Sequence, residues 1–346
     1  MRRIPQPQTP LLRVQNLSVD IDVAAGRLHA VTDVSFEVNP GETFCLVGES
    51  GCGKTITSLA VMRLLPRRAT VNARELSLAG EELLPLSDRQ MAELRGNRMG
   101  MIFQDPMTSL NPVYTIGDQL EEVFIRHRKG NRREARERAE YLLQRVGIMS
   151  PRQRLAQFPH QLSGGLRQRM MIAMTLMCEP ALIIADEPTT ALDVTVQAQI
   201  LKLLADLQRE FGMALVLITH DLGIVARMAD RVAIMYAGRI VETGTTREIF
   251  AAPHHPYTQG LLDCIPTPGK TAPGERLGSI PGMVPSLIGD IKGCMFRNRC
   301  IFATELCANG EIAMRDLAPG RGYRCILPPE TAPLGGAGER SKRIAR

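Results

Sequence analysis

The run GESGCGKT at residues 48–55 has the residue types and spacing of a phosphate cradle, G-x-x-x-x-G-K-[ST]. Gly48, Gly51 and Gly53 allow a tight backbone turn, so that N–H groups of the loop, those of Ser50 and Cys52 among them, can aim at phosphate oxygens. A helix opening at the end of such a loop adds the attraction of its positive end. Lys54 is long enough to reach the β- and γ-phosphates of a nucleoside triphosphate, and the Thr55 hydroxyl can ligate Mg²⁺.

A second stretch, ALIIADEP at residues 181–188, is an apolar run ending in Asp186 and Glu187. In open α/β folds, ligands bind at the carboxyl ends of the strands. There Asp186 would hold Mg²⁺ through its water shell, and Glu187 would polarise the water that attacks the γ-phosphorus. Alone, such a run is an ordinary strand end; coupled to residues 48–55 it is a metal and base pair. The third stretch, LSGGLRQR at residues 162–169, lies between the other two. Ser163 is expected as a helix N-cap, with the N–H groups of Gly164 and Gly165 free for an anion and Gln168 further along the same helix. An isolated S-G-G would be an ordinary cap, and the order of the three stretches argues for more.

These residues need a scaffold of strands ending at one edge. Residues 31–38 alternate apolar and polar types, and Pro40-Gly41 marks a turn. Residues 44–47 then run into the glycines, and a helical pattern follows over 55–65. Further short apolar runs fall at 99–103, 181–185, 214–218 and 232–235, with helical patterns between several of them. This alternation predicts an α/β domain with a mostly parallel, doubly covered sheet. Residues 120–146 read as helical, with a basic run (Arg126, Arg128, Lys129, Arg132, Arg133, Arg136, Arg138) expected on a solvated face.

With 346 residues, 44% hydrophobic and 23% charged, the chain can bury a substantial core. It has no Trp and only 4% aromatics, which speaks against base stacking and so against nucleic acid as a partner. The net charge of +6 is modest. No stretch opens the chain like a signal peptide, and the most apolar one, residues 170–185, is interrupted by Glu179-Pro180. A cytoplasmic protein with at most a peripheral membrane role is therefore expected.

Together, in order, the three motifs resemble the ATP-binding subunits of ABC transporters, over nearly the whole chain. The resemblance implies ATP and Mg²⁺ as cofactors. It implies that Gln104 in MIFQDP links the γ-phosphate and Mg²⁺ to membrane subunits, and that His220 in LITHD contacts the γ-phosphate. The stretch Ala191-Leu192-Asp193 resembles the loop that communicates across a dimer. In that family two cassettes pair head to tail, so each ATP lies between the Lys54-type loop of one chain and the Ser163-type helix of the other. The implied architecture is a phosphate-loop parallel-sheet core, an antiparallel β subdomain and a helical subdomain. It would occupy residues 1–260, with the helical and signature part at about 105–180. One departure is visible: no Phe, Tyr or Trp precedes Phe36, where the family places an aromatic to stack on adenine. Ile21 stands at roughly that position, and His29 is a possible substitute.

Several further stretches resemble the peptide and nickel importer branch: QDPMTSLNP (104–112), FPHQLSGG (158–165), DEPTTALDVTVQAQI (186–200), HHPYTQGLL (254–262) and IPGMVPSL (280–287). Within that branch they are most similar to the D-type ATPase subunits of dipeptide and oligopeptide importers. His254-His255-Pro256 by itself reads as a turn before a helix. The partners implied are a second ABC ATPase subunit, commonly a distinct homologue in this branch, two membrane permeases and an extracytoplasmic solute-binding protein. The site implied is the cytoplasmic face of the inner membrane. Another cargo, such as nickel or glutathione, fits the same motifs, because the ATPase subunit never touches cargo. A non-transport ABC ATPase fits less well, since there is one cassette and no long heptad run.

After Gly260 the texture changes to prolines (Pro266, Pro268, Pro281, Pro285) among glycines, followed by Cys294, Cys300, Cys307 and Cys325. Residues 261–334 are expected to form a small C-terminal extension, and 335–346 a disordered tail. Four thiolates suit zinc or an iron–sulfur cluster, and the C-x5-C-x6-C spacing is neither the ferredoxin pattern nor a zinc knuckle. The resemblance favours a 4Fe–4S cluster with a structural role. Of the other cysteines, Cys45, Cys178 and Cys264 suit core or linker positions. Cys52, near a helix N-terminus, is expected to have a lowered pKa and to block ATP binding when alkylated.

Overall fold

The computed structural model describes residues 9–190, 192–265, 278–289 and 292–329. Ala191, Pro266, Pro268 and the tail expected at 335–346 lie outside the described residues. An antiparallel sheet begins with the hairpin β1 (Leu12–Val23) and β2 (Gly26–Val38). The alternation of buried and partly exposed residues along β1 is that of a sheet with one face on the core. On the other edge of β1 lie β4 (Ala69–Asn72) and β5 (Glu75–Leu78), and β6 (Glu81–Glu82) pairs with β5.

The second sheet holds the parallel strands β3 (Thr43–Val47), β7 (Met99–Ile102), β8 (Leu182–Asp186), β9 (Ala214–Thr219) and β10 (Arg231–Tyr236). The antiparallel strands β11 (Arg239–Thr245), β12 (Arg315–Ala318) and β13 (Arg321–Tyr323) extend it, in the order β12-β13-β11-β10-β3-β9-β8-β7. Its parallel strands are apolar without alternation because both faces are covered. Successive residues serve opposite layers: Cys45 and Val47 join the core under the helices, while Phe44 and Leu46 join the core under the antiparallel sheet. Ile183 and Ala185 divide from Leu182 and Ile184 in the same way.

Helix α1 (Lys54–Val61) follows β3, and α2 (Asp88–Leu94) starts at a capping box made by Ser87 and Gln90. Between β7 and β8 the chain makes α3 (Pro106–Ser109), α4 (Ile116–Arg128), α5 (Arg132–Arg145), α6 (Pro151–Leu155) and α7 (Gly164–Thr175). Then α8 (Val194–Phe211) and α9 (Leu222–Met228) connect successive strands, and α10 (Thr246–Ala251) and α11 (Pro256–Asp263) follow β11. Among the described residues no helix is long and apolar enough to cross a membrane.

One expectation of the fold is corrected by the structure. The helix read over 120–146 is two helices: Lys129 turns left-handed at φ 52°, and Asn131 with Glu134 forms a capping box that restarts the chain as α5. The basic run lies on a solvated face, as expected: Arg126, Arg128, Lys129, Arg132, Arg133 and Arg136 are exposed and Arg138 half-buried, while several of them also form ion pairs. Arg132 and Arg136 converge on the Glu121 carboxylate at 2.8 and 3.1 Å, and Arg138 reaches Glu179 at 2.8 Å. The C-terminal extension is tied to both sheets. β13 pairs with β11, Leu28 bridges to Ile288, and Arg324 binds Asp33 at 2.9 Å. Its strands are short and polar, with no periodicity to announce them.

Candidate nucleotide site

The loop 48–53 runs from the end of β3 into α1, tightly enclosed at two points. A Cβ on Gly48 would stand 2.1 Å from the Met235 carbonyl oxygen, and Gly53, at φ 103°, would place one 2.6 Å from the Ala30 carbonyl oxygen. Only glycine fits either position. Lys54 is 5% exposed and donates to the carbonyls of Gly48 (2.8 Å) and Glu49 (3.0 Å), so its ammonium lies folded across the loop.

Around that ammonium the fold gathers residues from four separate stretches. Thr55 donates its hydroxyl hydrogen to Asp186 Oδ1 at 3.2 Å. Burial pushes the Asp186 carboxyl above its ordinary pKa, the Thr55 hydrogen bond opposes this, and the charge of Glu187 adds to it. Glu187 Oε1 lies 3.8 Å from Lys54 Nζ and 3.4 Å from His220 Nδ1. Its Oε2 accepts from Gln104 Nε2 at 3.4 Å and from the Thr190 hydroxyl at 2.9 Å. Glu187 itself sits at φ 44°, a left-handed conformation costing about 1 kcal/mol or more for a side-chain-bearing residue. Its N–H is held by the Ile218 carbonyl at 3.0 Å, so the edge of β9 imposes the turn that aims the carboxylate.

Lys54, Thr55, Gln104, Asp186, Glu187 and His220 thus stand together. Thr190 joins them and was missed by the sequence reading; a hydroxyl three residues beyond the carboxylate, on the turn where the Thr190 N–H binds the Glu187 carbonyl at 3.3 Å, was the available signal. Ser163 is the N-cap of α7, accepting the Leu166 N–H at 3.4 Å. Among the described residues no hydrogen bond joins Ser163, Gly164 or Gly165 to the loop 48–55. Gln168 points inward at 1% exposure.

Cys52 departs from expectation. It is fully buried, and loss of solvation pushes its thiol up, outweighing the nearby Lys54 charge and the helix-end N–H groups. The side chain packs beneath the loop, leaving only its backbone to face a ligand. On the hairpin, Ile21 is 8% exposed and part of the core, and His29 Nδ1 pairs with Asp20 Oδ1 at 2.7 Å. Cys45 and Cys178 are buried, and Cys264 is half-buried.

Cys294, Cys300, Cys307 and Cys325 line one small cavity with His255, Phe296 and Phe302. Burial pushes the Cys294 and Cys325 thiols up and that of Cys300 to about 12, and neighbouring cysteine charges add to each shift. The donor set, four sulfurs in an apolar setting, suits a soft metal or cluster. Among the described residues, however, no three His, Cys, Asp or Glu side chains already stand as a metal-holding group. His255 is the N-cap of α11, its Nδ1 accepting the Tyr257 N–H at 3.0 Å; burial holds its imidazole down at about 3. The turn before a helix is what His254-His255-Pro256 forms.

A phosphate loop, two carboxylates at a strand end and a histidine at the next strand end define a phosphate-loop nucleoside triphosphatase. Residues 31–190 match the family model described as ABC transporter, and residues 241–307 that described as the oligopeptide/dipeptide transporter C-terminal region. The chain is 50% identical over 333 residues to a putative peptide import ATP-binding protein of Brucella melitensis, spanning 93% of this chain and 98% of that one. It is 48% identical to the dipeptide transport ATP-binding protein DppD of Escherichia coli, covering 93% and 98%. It is 50% identical to the oligopeptide transport ATP-binding protein OppD of Bacillus subtilis, covering 86% and 83%. Among solved structures it is similar to the cassette MJ0796 in a dimeric post-hydrolysis state with ADP and Pi, with TM-score 0.60 and 26% identity over 68% of this chain and 99% of that one. CbiO1 of Clostridium perfringens gives TM-score 0.59 and 27% identity, over 70% and 92%. The chain belongs to the ATP-binding family of ABC transporters and is an ATPase.

Proposed function

We propose that the chain is the ATP-hydrolysing subunit that energises import of di- or oligopeptides through a membrane ABC transporter. The observation that carries the cargo class is the match of residues 241–307 to the oligopeptide/dipeptide C-terminal region, joined to near full-length similarity with peptide import proteins. Residues 1–260 are the ATPase domain and 261–334 the C-terminal extension. The partners are two permeases, a solute-binding protein and a second ATPase subunit, a distinct homologue in this reading. The chain works peripherally, on the cytoplasmic face of the cell membrane.

In this account the N–H groups of Gly51, Cys52, Gly53 and Lys54 and the Lys54 ammonium hold the phosphates. Thr55, Gln104 and Asp186 are the residues that would hold Mg²⁺, which would neutralise phosphate charge. Glu187, kept in place by Thr190, takes up a hydrogen bond from the attacking water, and His220 donates toward the γ-phosphate. Ser163, Gly164, Gly165 and the helix carrying Gln168 close the site of the partner subunit, so ATP joins the two chains and hydrolysis parts them. That cycle biases the permeases between two states. Cys294, Cys300, Cys307 and Cys325 would hold a 4Fe–4S cluster, with zinc as the alternative, and the bound group would tie the extension together.

Uptake of a labelled dipeptide by cells carrying E187Q in place of the wild-type chain tests the cargo. Loss of dipeptide uptake is expected. Wild-type dipeptide uptake, with loss of nickel or glutathione uptake instead, would reassign the cargo.

A further inference from the structure

The pattern G-x-x-x-x-G-K-[ST] leaves the type of its second residue open, yet here it is Glu49. A carboxylate beginning a loop that receives polyphosphate repels the ligand unless something neutralises it. The neutralising group comes from 250 residues away. Arg299, next to Cys300 in the C-terminal region, forks onto Glu49: Nη1 donates to Oε2 at 2.6 Å and Nη2 to Oε1 at 2.9 Å.

The guanidinium has little freedom to be elsewhere. Arg299 is 9% exposed. Its Nε donates to the Pro281 carbonyl at 2.9 Å, Nη2 also to the Ile280 carbonyl at 3.0 Å, and Nη1 to the Tyr236 hydroxyl at 3.4 Å. Its Cζ lies over the rings of Tyr236 and Phe296, 5.7 and 5.9 Å from their centroids. A buried arginine with this many fixed acceptors is a rigid anchor. The residue it grips is fixed on its other sides as well. The Glu49 N–H donates to the Tyr257 hydroxyl at 3.0 Å, and the Glu49 carbonyl accepts from Lys54 Nζ at 3.0 Å.

We infer that Arg299 is a positioning residue for ATP binding: it cancels the Glu49 charge and pins the start of the phosphate loop, so that Lys54 and the loop N–H groups keep their aim. The C-terminal region is then part of the nucleotide site's support, and not only an appendage of the transporter branch. The inference rests on ATP binding at residues 48–55.

Mg-ATP affinity and steady-state kinetics of the purified full-length chain test it. R299M keeps the bulk and removes the charge; the dissociation constant for Mg-ATP should rise about tenfold, with kcat at saturating ATP changed by less than about twofold. The double variant R299M/E49Q, in which no bare carboxylate remains, should recover affinity to within about threefold of wild type. An arginine that merely braces the fold would not be rescued by E49Q. R299K, which keeps the charge and loses the fork, should fall between wild type and R299M, and decides the matter alone if R299M does not fold. Wild-type affinity in R299M, or in R299K where R299M does not fold, or no recovery in the double variant, overturns the inference. Failure of the unaltered chain to bind Mg-ATP would instead remove the reading on which it rests.

Discussion

The Thr190 hydroxyl donates a 2.9 Å hydrogen bond to Oε2 of Glu187, the oxygen that Gln104 approaches at 3.4 Å. Glu187 is held in a left-handed backbone conformation at φ 44°, so its carboxylate is aimed by the turn and steadied by this hydroxyl. T190V keeps the shape and removes the donor. Its kcat for ATP hydrolysis should fall about tenfold with KM changed little, because the bond orients the carboxylate proposed to act on the attacking water. Unchanged kcat would make Thr190 a bystander.

Glu121 joins the two helices that the sequence reading ran together. Its side chain is 3% exposed and accepts from Arg132 on α5 at 2.8 Å and Arg136 at 3.1 Å. The arginines are 73% and 45% exposed, so solvent screens much of the attraction. E121A should therefore cost only about 1–2 kcal/mol, less than a fully buried pair would. Thermal unfolding would register this as a lowered Tm, and an unshifted Tm would show that the network adds nothing.

The four cysteines around one cavity make a separate prediction. Anaerobically purified protein should carry iron and acid-labile sulfide in near-equal amounts, lost together in C300S. Colourless protein with stoichiometric zinc would rule out the cluster and leave the four-thiolate set as a zinc site.

The local elements of the candidate site were legible in the sequence wherever they depended on neighbours along the chain. The loop at 48–55, the strand ending in Asp186 and the cap at Ser163 all follow from local residue types, and the apolar runs at 99–103, 214–218 and 232–235 are β7, β9 and β10. What was hidden depended on distance or burial. The break at Lys129 turns on one left-handed residue inside a charged, helix-favouring stretch. The Cys52 thiol was misjudged because a helix end predicts a low pKa, and only the packing beneath the loop shows that loss of solvation outweighs it. Arg299 and Glu49 carry no common motif, and only the fold brings them together.

ATP hydrolysis by E187Q, mixed with its second ATPase subunit, tests the proposed role of Glu187 most directly, measured as phosphate release alongside the mass of the pair in solution with Mg-ATP. Loss of phosphate release with ATP-dependent pairing of cassettes retained is the predicted result. Hydrolysis near the wild-type rate in E187Q would contradict the role given to Glu187, and with it the arrangement of Lys54, Gln104, Thr190 and His220 around a reacting water.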